Sequence, residues 1–194
     1  MDEELGEDGY PPGWPVPLRD LRRVVPIAQT VTVGGVVLTA VSLDDFPVGF
    51  TVRLRLWLKD GHPIVERQRH QEAEDRRQKA EADDAEEAVP FVGRFLPVPE
   101  EERAAFLAGF APVPEFELEA RDDRGRQYRN WGGGEQWGSN LEGWAEPIFT
   151  PALDPAAREL RLTAAEVRWW TAAVWQGGEI VAVDRGPWVF TVAL

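Results

Sequence analysis

The stretch "FTVRLRLWLK", residues 50–59, constrains the fold more than any other. Val52, Leu54, Leu56 and Leu58 alternate with Thr51, Arg53, Arg55, Trp57 and Lys59. A period of two places the aliphatic side chains on one face of a strand and the charged ones on the other, so the strand is wetted on one side, as antiparallel sheets usually are. The same alternation returns in "FELEA", with Phe116, Leu118 and Ala120 inward and Glu117 and Glu119 outward. As neighbours these two strands would set Arg53 and Arg55 against Glu117 and Glu119, each pair contributing about 0.2–1 kcal/mol. That pairing is the expectation.

Turn chemistry supplies the rest of the pattern. "VVPIAQTVTVGGVVLTAVSL" is two β-branched runs separated by Gly34-Gly35, which predicts a hairpin, with Pro26 near a strand start or edge. "TAAVWQGGEIVAVD" predicts a second hairpin about Gly177-Gly178, and "PWVFTVAL" a final strand. Leu160 and Leu162 stand in opposite parity to Val167 and Trp169, which predicts a bulge near Thr163 to Ala165. Eight or nine short strands of this kind predict an all-β protein, an antiparallel sandwich.

Residues 1–20 mix acids with Pro11, Pro12, Pro15 and Pro17 and are expected to form a flexible arm. Residues 21–194 then form one domain, interrupted by an insertion over 60–113 that is too long for a hairpin loop. Its first part, residues 66–88, has 14 charged residues in 23 and no apolar residue larger than alanine. An exposed, partly formed helix or disorder is expected there, because no apolar stripe exists to dock it. Its second part predicts a short helix after Glu100 to Glu102, with Phe106, Leu107 and Phe110 on one face.

The order "VPIAQTVTVGGVVLTAVSLDDFPVGFTVRLRL", "FELEARDDRGRQY", a Gly/Trp-rich loop, "FTPALDPAARELRL" and a terminal strand resembles a group of actinobacterial proteins of unknown function built as an immunoglobulin-like β-sandwich. It is more distantly similar to the sandwich domains that follow anti-sigma-factor or lipoprotein anchors in Gram-positive bacteria. The likeness covers about residues 24–60 and 114–194. It implies an immunoglobulin-like sandwich and carries no catalytic residues. The charged insertion departs from the pattern, as does the want of an anchor.

Chemistry is sparse. Without cysteine there is no disulfide, thiolate metal site or thiol nucleophile. His62 and His70 lack partners at metal-ligand spacing and are expected to be solvated. Ser42 and Ser139 lie in no nucleophile-elbow context. The glycine triplet 132–134 has no lysine after it and no strand-to-helix transition, so it does not read as a phosphate loop. Asp122 and Asp123 are expected to serve a turn with Gly125, and Tyr128 to begin the next strand; a calcium site would need these two acids to converge with Asp44 and Asp45. No cofactor is expected.

Trp131, Trp137 and Trp144 stand in or beside the glycine-rich loop. Their rings either stack on a ligand or partner, or fold back to plug the end of the core. A net charge of -13 repels nucleic-acid backbones and anionic membranes. The opening "MDEELGEDGYPPGWP" carries acids where a signal peptide needs a basic segment, so a cytoplasmic protein is expected. The function that follows is a non-enzymatic module binding another protein, with Tyr128, Trp131, Trp137, Trp144, Phe106 and Phe110 as contact residues. Carbohydrate or small-ligand binding through the tryptophans is the alternative, and a hydrolase using loop carboxylates a third.

Overall fold

The computed structural model describes residues 20–83, 112–138, 141–171 and 178–194. The arm, the helix expected to carry Phe106 and Phe110, and the turn at Gly177 therefore lie outside the described residues. The elements are β1 Arg23–Val33, β2 Val36–Asp45, β3 Phe50–Leu58, α1 Pro63–Asp83, β4 Val113–Glu115, β5 Leu118–Asp122, β6 Gln127–Trp137, β7 Glu142–Thr150, β8 Glu159–Trp170 and β9 Ile180–Ala193. The protein is all-β and antiparallel, as the alternation requires, with one helix among the described residues.

The strands are hydrogen-bonded along one path, β1-β2-β3-β7-β6-β5-β8, with β9 on the outer side of β8 and β4 beside β5 along β8's other edge. β6 makes the turn between the two halves: Gln127 and Tyr128 pair with β5, and the strand from Arg129 onward pairs with β7. The expected pairing of "FTVRLRLWLK" with "FELEA" is wrong. β3 lies between β2 and β7, so Arg53 bonds Glu146 at 2.6 Å and Arg55 bonds Glu142. β7 supplies carboxylates on the same face: Glu146 next to the Leu54–Ala145 pair for Arg53, and Glu142, diagonal to Arg55 across the ladder, for Arg55.

The two halves enclose one core. Leu38, Leu43, Leu54 and Leu56 from one side meet Leu118, Leu160, Leu162 and Phe190 from the other, all essentially inaccessible. Phe50 stacks on Phe149 at 5.0 Å and meets the edge of Tyr128 at 5.1 Å. Gly34 and Gly35 take positive φ at the first hairpin, 59° and 90°, as the paired glycines predict. The bulge in β8 also falls where the parity break placed it, between Ala164 and Glu166.

The path ends at β1 and β9, and these ends meet. At Ala28, whose φ is 51°, β1 slips register against β2 and Gln29 turns its amide toward β9. Gln29 Nε2 donates to the Thr191 carbonyl at 2.5 Å, and the Thr191 N–H donates to Gln29 Oε1 at 3.0 Å. One side-chain amide thus stands in for a peptide unit and closes the barrel-like sheet.

α1 is helical over Pro63–Asp83, the exposed helix being the outcome of the two expected for the charged tract; residues 84–88 of that tract lie outside the described residues. Pro63 occupies the first helical position and His62 sits ahead of it, its Nδ1 accepting the Ile64 N–H at 3.2 Å. Ile64 is buried, and the solvated remainder carries ion pairs such as Glu66–Arg69 and Glu72–Arg76. Among the described residues no helix is long and apolar enough to cross a membrane.

Replacing Gln29 by Ala removes both seam bonds. We predict a loss of about 1–2 kcal/mol in urea unfolding, with the Thr191 amide exchanging faster with solvent while the Leu54 amide keeps its protection at matched stability. Unchanged exchange at Thr191 would contradict the closure.

Candidate functional site

The stretch expected to be a Gly/Trp-rich loop is the strand β6 and its hairpin partner β7. Two glycines of the triplet stand in a strand here because larger residues cannot. Gly132 has a φ of 77° and breaks the register between Asn130 and Gly133. A Cβ at Gly133 would collide with the Glu146 carbonyl, and one at Gly143 with the Trp137 ring. The glycines let β6 approach β7 closely and make room for indoles.

The tryptophans fall into three situations. Trp131 is half-buried, with its Nε1 donating to Thr150 Oγ1 at 2.7 Å and the Arg129 guanidinium 3.7 Å from the ring centre. Trp137 covers Gly143 and packs against the core. Its indole N–H is buried without an aligned hydrogen-bond partner among the described residues; burial raises the carboxyl of nearby Glu135, which this N–H opposes only in part. Trp144 points outward and is 38% exposed. The outer edge of its six-membered ring lies 3.7 Å from where a Cβ on Gly134 would stand, so the ring is seated beside that glycine of β6.

Trp144 is the middle of a row. Arg55 is its ladder partner on β3 and Gln136 its partner on β6. The Arg53–Glu146 and Arg55–Glu142 pairs flank it, and Val41 closes one side of a shallow groove of about 500 Å³. The surface is therefore an indole plate in a frame of planar polar groups whose charges cancel pairwise.

The acidic half of the stretch is turn chemistry, as expected. Asp122 is buried, and its Oδ1 accepts the N–H groups of Arg124 at 3.0 Å and Arg126 at 2.8 Å. Tyr128 Oη donates to its other oxygen at 2.8 Å and accepts the Asp154 N–H at 3.2 Å. Burial would raise the Asp122 carboxyl, but the bonds from Tyr128, Arg126 and Arg124 outweigh it and hold the group below the usual carboxylate range. Burial pushes the Tyr128 hydroxyl up to about 12. Tyr128 is thus a buried strut; the sequence reading that made it a contact residue is corrected.

The four aspartates do not gather. Asp123 accepts the Arg158 N–H at 3.1 Å, while Asp44 and Asp45 stand at the end of β2, within reach of Arg53 and Arg23. Among the described residues no three acidic or histidine side chains are grouped to hold a metal ion.

His62 is also corrected, from solvated to buried. Its Nε2 lies 3.1–3.2 Å from both oxygens of Asp184, and Trp169 Nε1 donates to Asp184 Oδ2 at 2.7 Å. With Nδ1 accepting from Ile64, the proton sits on Nε2 and faces the carboxylate. The arrangement resembles two members of a catalytic triad, but the nitrogen that would serve a nucleophile is occupied by backbone. Its work is to fasten α1 to β8 and β9. The sequence hint was faint: a histidine directly before the Pro63 that opens a helix.

No family model matches the chain, and no curated protein matches it. Among solved structures it is similar to the conserved domain protein from Bacillus anthracis, at 13% identity and a TM-score of 0.52, over 89% of this chain and 48% of that one. The chain spans about half the length of that protein. At this identity the likeness speaks of fold alone.

Replacing Tyr128 by Phe keeps the ring and removes both the bond to the charged Asp122 and the acceptor of the Asp154 N–H. We predict a loss of about 1–2 kcal/mol at pH 7. Because the folded Asp122 pKa is depressed, its stabilisation is present above the ordinary carboxylate value and fades as pH falls through the folded one. The deficit should therefore shrink toward pH 3; a deficit independent of pH would contradict the assignment.

Proposed function

We propose that the chain is a non-enzymatic binding module whose partner is another protein, and that the outer face of β3, β7 and β6 is its recognition surface. The observation that supports this is Trp144, which is the most exposed of the three tryptophans of the stretch. Tryptophan and arginine are the residue types that most often carry interface energy. Here Trp144 stands beside Arg53 and Arg55, on a rigid sheet, above Gly134. A fixed side chain loses little entropy on binding.

Carbohydrate binding is the second reading, favoured by the groups around the exposed indole. A tryptophan ring with amide, carboxylate and guanidinium groups lining the same shallow groove suits a sugar ring, which stacks by C–H contacts and needs planar hydrogen-bonding groups at its edge. The hydrolase reading is weaker. The loop acids it would use are engaged elsewhere: Asp122 accepts two backbone N–H groups and the Tyr128 hydroxyl, Asp123 accepts the Arg158 N–H, and Glu142 is paired with Arg55.

The immunoglobulin-like assignment is narrower than the all-β architecture. Two facing antiparallel halves support it, and the continuous path through β6 weighs against it. A cytoplasmic location, with no nucleic-acid or membrane partner, is proposed on the charge of the sequence.

The test is affinity capture from the native host's lysate with the intact chain and with Trp144→Ala, followed by titration of each captured protein and of a glycan panel. A protein that binds the intact chain and loses about tenfold or more in affinity to the variant supports the reading. Glycans that bind instead establish the second reading. Equal binding by both chains removes Trp144 from the recognition surface.

A further inference from the structure

A different part of the molecule offers edges for a partner. β5 and β6 are bonded through Ala120 with Tyr128 and Arg121 with Gln127, and then they separate. On one bank of the opening lie β4 and the start of β5, whose ladder runs to β8. On the other lies β6 beyond Asn130, whose ladder runs to β7. A single side-chain bond between described residues crosses the gap, from Asn130 Nδ2 to the Leu118 carbonyl at 3.1 Å. Three adjoining hollows of about 460, 490 and 70 Å³ follow the split. Two strand edges thus face one another across open space.

Backbone groups along a strand edge are a template for another strand. A segment entering here would pair with both banks at once, as in β-strand addition. Its two faces would meet different surroundings. Toward the core, Phe116, Leu118, Ala145 and Pro147 form an apolar floor. On the solvent side stand Glu117 and Glu119, neither of which is in an ion pair among the described residues. Glu135, the ladder partner of buried Ala145, is set toward the floor and remains accessible through the opening. Burial raises its carboxyl, Glu115 raises it further, and the Trp137 N–H opposes both.

We propose that this split is a strand-accepting cleft and that its occupant is an extended basic segment of a partner protein, in which small apolar residues alternate with lysine or arginine. Edges with no strand partner among the described residues call for a strand, and the carboxylates on their rim, without an ion pair among the described residues, choose its charge. The cleft is separate from the Trp144 face, so either can fail without the other.

The test uses the intact chain and two fluorescent nine-residue peptides, one alternating Val with Lys and one alternating Val with Glu. Anisotropy should show binding of the lysine peptide and none of the glutamate peptide. The doubly substituted Glu117→Lys, Glu119→Lys chain should bind about tenfold more weakly or worse, and Trp144→Ala should bind as the parent does. Should the lysine variant fail to fold, Glu117→Gln with Glu119→Gln must lower affinity and flatten its salt dependence. Backbone amide shifts should concentrate at residues 115–119 and 131–135. Absence of binding, equal affinity for both peptides, unchanged affinity in the substituted chains, or shifts located elsewhere would each overturn the proposal. So would sedimentation showing that a second copy of this chain fills the cleft.

Discussion

Every strand in this molecule carries two rows of backbone hydrogen-bonding groups, and the structure depends on where each row finds a partner. An antiparallel sheet curled on a core has ends, and exposed ends recruit other strands. β1 and β9 meet that demand through Gln29, whose amide bonds both polar groups of Thr191. The slip at Ala28 exists to aim that one side chain. Between β5 and β6 the demand goes unmet, because β6 can follow β5 or β7 and after Tyr128 it follows β7.

The same close approach explains the aromatic chemistry. Gly133 and Gly143 allow β6 and β7 to pack with no Cβ between them, and Trp137 and Trp144 use the space that glycines leave. Burying Trp137 contributes to the core on the order of the 1.5–3 kcal/mol typical of a large apolar side chain. Trp144 adds less to stability, since much of its ring stays wet.

Much of the architecture could be read from residue order alone. Alternation in residues 50–59 and 116–120 located the faces of β3 and β5, Gly34-Gly35 located a turn, and the parity break before Val167 located a bulge. Strand neighbours could not be read: Glu117 and Glu119 match the spacing of Arg53 and Arg55, yet the arginines pair with Glu146 and Glu142, one of which is reached only diagonally across the ladder. The glycine triplet read as a loop because its strand role rests on a close crossing that no local pattern announces. His62 read as solvated because its partner Asp184 is 122 positions away. Of the contact residues read from the stretch, Trp144 fits a surface role and Tyr128 does not.

The claim that one strand edge of this sheet is closed by a side chain while another is left open is tested most directly by amide hydrogen exchange on the intact chain at pH 7. Thr191, at the Gln29 seam, should be protected like the core strands. Those amides of residues 131–137 that do not bond β7, together with the β4–β5 edge, should exchange orders of magnitude faster. Uniform protection across β5 and β6, or rapid exchange at Thr191, would contradict the account.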